Sequence, residues 1–143
     1  MLSLTKIFNF EMAHAIYGYA GSCKNVHGHS YELHVTLSSA TTGDEYISAP
    51  GFEIDFKEIK ELVNVHVIKS LDHKMVLSKV FIASRPVFKD EENLEIWDAE
   101  PTAENLLIYI HRTLEKHLPG NTKLTRLTIY ETRDSYAEWV TDS

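Results

Sequence analysis

Hydrophobic and polar positions alternate along the first stretch of the chain. Phe8, Phe10, Met12 and His14 recur at every second position between Thr5 and His14, the period of a strand with one buried face. Tyr31, Leu33, Val35 and Leu37 repeat the pattern against Glu32, His34, Thr36 and Ser38, which predicts a half-buried antiparallel strand. The intervening Gly18 to Gly28 carries three glycines with Ser22 and Asn25 and reads as a loop. The period then changes. Asp55 is placed to cap a helix with Glu58 at the capping-box position, and Ile59, Leu62, Val63, His66 and Val67 continue one face to about Ser70. A second helix starts at Pro101-Thr102-Ala103-Glu104, with Thr102 as cap and Glu104 in the first turn. Its stripe is Leu106, Leu107, Ile110 and Leu114, and it stops at Pro119-Gly120. Leu124 to Glu131 and Tyr136 to Val140 read as closing strands. Lys74 to Ala99 has no clean period; within it Lys79 to Ser84 and Leu94 to Trp97 read as strand-like. Strands, two helices and strands in that order predict an α+β domain, an antiparallel sheet of about four strands with two helices on one face. Its two open edges are ones that oligomerisation would cover.

Composition narrows the class. A length of 143 residues with 43% hydrophobic and 24% charged positions predicts a single globular domain over residues 1–143 rather than a disordered chain. No apolar run reaches membrane-spanning length, and Met1 to Lys6 lacks the apolar core of a signal peptide, so the expected location is the cytoplasm, with no membrane partner. The single cysteine excludes an internal disulfide framework. A net charge of −7 argues against nucleic acid as a partner.

Eight histidines change the picture, because three have informative spacing. His27 and His29 sit two apart at the start of the second strand, so both rings point to one side. His14 ends the preceding strand and supplies a third nitrogen if the two strands pair as a hairpin. Three neutral imidazoles with a fourth position open to water or substrate are the donor set of a catalytic zinc ion; the plainer alternative is two solvated loop histidines and one core histidine. Cys23, four residues before His27, can be a fourth ligand, a thiol of lowered pKa acting as base or nucleophile, or a small buried hydrophobe. Its polar neighbours Ser22, Lys24 and Asn25 count against burial, leaving ligand and catalyst both open. Asp72 next to His73 is a carboxylate able to fix an imidazole's tautomer for acid–base work, or a solvated loop pair. Glu131 is either a surface charge or a carboxylate that reads a ligand's amide edge.

Taken together, Phe10 to His14, Cys23 to His29, Ile54-Asp55-Phe56, Leu71-Asp72-His73, Pro101 to Asn105 and Tyr130-Glu131-Thr132 resemble the 6-pyruvoyltetrahydropterin synthase / 6-carboxytetrahydropterin synthase family, in order and spacing over nearly the whole chain. The resemblance implies a tunnelling fold, a ββααββ subunit whose sheets join into an oligomeric barrel, commonly a homohexamer of two trimers with active sites at subunit interfaces. It implies zinc on His14, His27 and His29, Cys23 as catalytic thiol, and Asp72 with His73 as the other half of the proton-transfer machinery. It also implies that Glu131 anchors the pterin, with Thr102 and Glu104 lining its pocket.

The substrate implied is 7,8-dihydroneopterin triphosphate. A carbon–carbon lyase of this family yields 6-carboxy-5,6,7,8-tetrahydropterin, acetaldehyde and triphosphate on the way to queuosine; the alternative, a 6-pyruvoyltetrahydropterin synthase, eliminates triphosphate and keeps the side chain. Three residues between Cys23 and His27 resemble the first group, and Cys23 departs from a third group that carries glutamate in its place. A different class again is a non-enzymatic zinc-binding module of the same fold, against which the full set of Cys23, Asp72, His73 and Glu131 argues. Two departures from the family stand out: Val76-Leu77 replaces a Leu-Asn pair, and Ser78 to Glu100 is longer than in compact bacterial members.

Overall fold

The structure, a computed structural model, describes residues 2–21 and 24–142. The two alternating stretches form the expected hairpin partners, β1 (Ser3–His14) and β2 (His27–Ser39). They pair antiparallel from Ser3 opposite Ser38 to His14 opposite His27. Asp55 caps the first helix, its carboxylate accepting the Lys57 N–H at 2.8 Å. This helix, α1, comprises Phe56–Val63, a π-helical stretch Asn64–Ile68 and a last turn Lys69–Leu71. Its buried Val63, Val67 and Leu71 are four residues apart, a spacing that drifts around an ordinary 3.6-residue turn. The wider π turn takes the drift back and keeps all three on the sheet.

The unperiodic region is where the structure departs from expectation. β3 (Lys74–Ser78) pairs parallel with β1, and β4 (Leu94–Trp97) pairs parallel with β3. Among the described residues the sheet therefore has six strands in the order β4-β3-β1-β2-β5-β6, mixed rather than purely antiparallel. Lys79–Ser84 is a short helix, α2, rather than a strand: the Ser78 hydroxyl caps it by accepting the Phe81 N–H at 3.0 Å. That serine was the available signal. β3 escaped detection because it is buried on both faces, with Val76 in the main core and Met75 and Leu77 in a second cluster with Ala15 and Phe81. A strand buried on both sides reads as an unbroken apolar run without alternation.

The second long helix, α3 (Ala103–Glu115), starts at its predicted cap, where the Thr102 hydroxyl accepts the Asn105 N–H at 3.1 Å. β5 (Thr122–Thr132) and β6 (Ser135–Val140) complete the sheet antiparallel to β2 and to each other. The main core lies between one sheet face and the helices α1 and α3, as the sequence predicted. β4 and β6 remain edge strands, with Ile96, Tyr136 and Val140 exposed. Among the described residues no helix is long and apolar enough to cross a membrane.

Candidate active site

Strand register gathers the three histidines. His14 lies opposite His27 and Met12 opposite His29; opposed residues of an antiparallel pair share a face, so all three rings emerge on the helix-covered side. One donor nitrogen from each lies within 4.8 Å of the other two. His14 is buried, 2% exposed, and its Nδ1 is 2.7 Å from the Pro101 carbonyl. His27 Nδ1 is 2.7 Å from the Asn25 carbonyl. A carbonyl only accepts, so both Nδ1 atoms carry the proton and both Nε2 atoms present lone pairs. Those two Nε2 atoms are 3.2 Å apart.

Two lone pairs at that distance repel unless a cation lies between them. Nitrogens on a tetrahedral zinc at about 2.0–2.1 Å are separated by roughly 3.3 Å, so the spacing fits such an ion. Among the described residues the buried Nε2 of His29 has no hydrogen-bond partner, an orphaned lone-pair atom of the kind a metal satisfies. Burial lowers the pKa of His14 and of His29 from the ordinary value. For His14 the Pro101 carbonyl and Glu131 pull the other way, and for His29 Glu131 does; burial prevails in both. Neutral rings are the form that ligates.

Glu131 lies on β5 in phase with the buried Leu127 and Ile129, hence on the same sheet face as the histidines. Its carboxylate stands 3.5 Å from His29 Nε2 and is partly exposed, within reach of anything bound beside the three imidazoles. Pro101 ties the start of α3 to His14, which brings Thr102 near the site. The Thr102 hydroxyl is engaged as a helix cap, and Glu104 is exposed in the first turn. The Pro101 and Asn25 carbonyls that orient the rings were not legible in sequence, because any residue type supplies a carbonyl. The Tyr31 hydroxyl, 3.4 Å from His14 Nδ1, was read only as a core position.

Asp72 and His73 are brought together, with His73 Nδ1 3.0 Å from Asp72 Oδ1. They are not brought to the histidine cluster. Parallel pairing sets Lys74 beside Met12 and Val76 beside His14. These partners share the helix-covered face, and alternation turns Met75 to the reverse face, while His73 occupies the turn that leads into β3. His73 borders a hollow lined by Glu11, Ala13, Gly28 and Ser30 of the reverse face and by Asn93, with His29 of the cluster also at its wall. Its imidazole is 79% exposed. His73 also has φ of +62°, a left-handed conformation that costs a non-glycine residue roughly 1–2 kcal/mol. Cys23 lies outside the described residues.

The comparisons with known proteins point to one family. A family model described as "PTPS: 6-pyruvoyl tetrahydropterin synthase" matches residues 3–142. The chain is 28% identical to the 6-carboxy-5,6,7,8-tetrahydropterin synthase of Rickettsia typhi, covering 96% of this chain and 99% of that one. Among solved structures, an uncharacterised protein of Wolinella succinogenes superposes with a TM-score of 0.79 at 18% identity, over 99% of this chain and 98% of the other. The 6-pyruvoyl tetrahydropterin synthase of Caenorhabditis elegans does so at 0.68 with 21% identity, over 99% and 96%. A sheet that converges three imidazoles beside a carboxylate, and a family match from the first strand to the last, lead to one conclusion: the chain belongs to the 6-pyruvoyl tetrahydropterin synthase family.

Proposed function

We propose that the chain is a zinc-dependent carbon–carbon lyase that converts 7,8-dihydroneopterin triphosphate and water to 6-carboxy-5,6,7,8-tetrahydropterin, acetaldehyde and triphosphate. The observation that carries this reading is the convergence of His14, His27, His29 and Glu131 on one face. The family membership, the name borne by the Rickettsia typhi relative and the three-residue spacing from Cys23 to His27 support it. Zinc held by the three imidazoles would acidify the substrate's side-chain hydroxyls and steady enolate-like charge. The remaining work belongs to the chain's own groups. Glu131 accepts hydrogen bonds from the pterin's 2-amino and ring N–H groups. Cys23 moves a proton on one side of the substrate, and His73, oriented by Asp72, moves one on the other. Thr102 and Glu104, next to Pro101, border the pterin pocket.

No contact joins His73 to the three imidazoles of its own chain among the described residues, so in this reading the Asp72–His73 pair serves a site on a neighbouring copy. That requires a homo-oligomer assembled through the sheet edges, in this family a hexamer of two trimers, working in the cytoplasm. Incubating the zinc-loaded protein with 7,8-dihydroneopterin triphosphate and identifying products by mass spectrometry tests the reaction. The carboxylated pterin and acetaldehyde are expected; a 6-pyruvoyl product retaining the side chain would replace this reading with the triphosphate-eliminating one.

Glu131→Gln isolates recognition from chemistry. The amide turns a donor towards the pterin's donors, and an unsatisfied buried pair costs about 1–3 kcal/mol, on the order of ten- to a hundredfold in affinity. Calorimetry with a pterin analogue on zinc-loaded protein should show that loss. Wild-type affinity with impaired turnover would make Glu131 a proton-transfer group instead.

A further inference from the structure

His73 keeps a conformation that its own side chain does not explain. With the imidazole so exposed, packing does not orient it, and with φ at +62° its backbone is not at rest. Polar contacts hold it instead. Its N–H donates to the Glu11 carbonyl at 2.6 Å. Its ring meets Asp72 Oδ1, which also accepts the Glu11 N–H at 2.9 Å. Its carbonyl accepts from the side-chain amide of Asn93 at 3.1 Å.

Asn93 comes from the long segment after β3, twenty residues further along the chain. Its own carbonyl accepts the Met75 N–H at 2.9 Å. It thus grips the chain on both sides of Lys74, by side chain before it and by backbone after it. Asn93 is itself exposed, immediately ahead of β4, and its side chain fills no core. We propose that Asn93 is a positioning residue for His73: its amide holds the His73–Lys74 peptide in the orientation that the left-handed His73 requires, and so aims the imidazole. The proposal rests on the reading of His73 as a proton-transfer group. It also gives the long Ser78–Glu100 segment a role at the active site.

Losing the amide frees that peptide to rotate towards an ordinary backbone conformation, carrying an otherwise unpacked ring with it. A displacement near 1 Å at a reacting group can cost about a hundredfold. Asp72 still restrains the ring, so a fall of roughly tenfold is expected. The test uses Asn93→Asp, of the same shape without a donor, and Asn93→Ala, which adds no charge. Each is made in the full-length, zinc-loaded protein beside His73→Ala and the double variant His73→Ala/Asn93→Asp.

Both Asn93 variants should lower kcat about tenfold with KM, metal content and melting temperature unchanged. The double variant should be no slower than His73→Ala alone. Wild-type kcat in Asn93→Ala overturns the proposal, and so does any further loss in the double variant. A fall in melting temperature or metal content that accompanies the kcat loss marks a structural role and overturns it too. If Asn93→Asp does not fold, Asn93→Ala carries the comparison, including the double variant. Normal turnover in His73→Ala would instead sink the underlying reading of His73. Slow turnover there with normal turnover in Asn93→Ala would sink the positioning role alone.

Discussion

Replacing His27 with alanine should strip the protein of its metal and abolish turnover, whereas Cys23→Ala should keep the metal and lose only turnover. His27 Nε2 sits 3.2 Å from that of His14, with both Nδ1 atoms engaged by carbonyls. Removing one of three imidazoles leaves too few donors to hold zinc. Loss of an outer partner of a ligand costs about 10–100-fold in metal affinity, and loss of a ligand itself should exceed that. Metal analysis of the two variants checks this; equal loss of zinc from Cys23→Ala would make the cysteine a fourth ligand and the site a closed one.

The same site sets a pH dependence. His14 and His29 have pKa values below the ordinary one, so the folded apo-protein binds fewer protons than the unfolded chain. Their neutral forms contribute stability that is fully present above about 6.5. It is lost as pH falls from there through the depressed folded values. Protons compete with metal in the same direction. Acidification from pH 7.5 towards 5 should therefore lower both the apo melting temperature and zinc affinity; a melting temperature that rises over that range would contradict the assignment.

The second large effect tests the proposed sharing of one active site between two copies of the chain. Cys23→Ala and His73→Ala should each lower turnover by at least about a hundredfold, the scale of lost acid–base catalysis, with substrate still bound. No contact joins the Asp72–His73 pair to its own histidine cluster among the described residues, so in the proposed reading each variant supplies to a neighbour's site what the other lacks. Mixed oligomers, made by co-expressing the two variants, should recover activity in roughly a quarter of sites by random assortment. No recovery in mixtures shown by light scattering to be oligomeric would mean that both groups act from one chain.

Much of this was legible in the sequence where one physical signal dominates. Alternation located β1 and β2, and the caps Asp55 and Thr102 located the long helices, because side-chain oxygens at helix starts satisfy otherwise unpaired backbone donors. His-x-His on a strand placed two imidazoles on one side, and a hairpin placed the third. β3 and β4 were not legible as a parallel pair. Their partners are set by contacts remote in sequence, and a strand buried on both faces loses the period that marks a strand. Ser78 carries a cap signal for α2, although Val80 and Ile82 are β-branched residues that favour a strand.

The His-x-His pair, the third strand-end histidine and the order of motifs by which the chain resembles its family are legible in the sequence, because a strand's two-residue repeat and a helix's caps are local. What the tertiary structure decided is where those residues stand relative to one another. The orphaned His29 Nε2 depends on the packing around it, and the tautomers of His14 and His27 depend on carbonyls that any residue could supply. The placing of His73 at the hollow beside Glu11 and Ser30 depends on β3 lying parallel beside β1. A left-handed backbone and a hydrogen bond from Asn93 settle its orientation. Each of these is a relation between segments far apart in the chain or between backbone groups without residue identity, and neither leaves a local mark in the sequence.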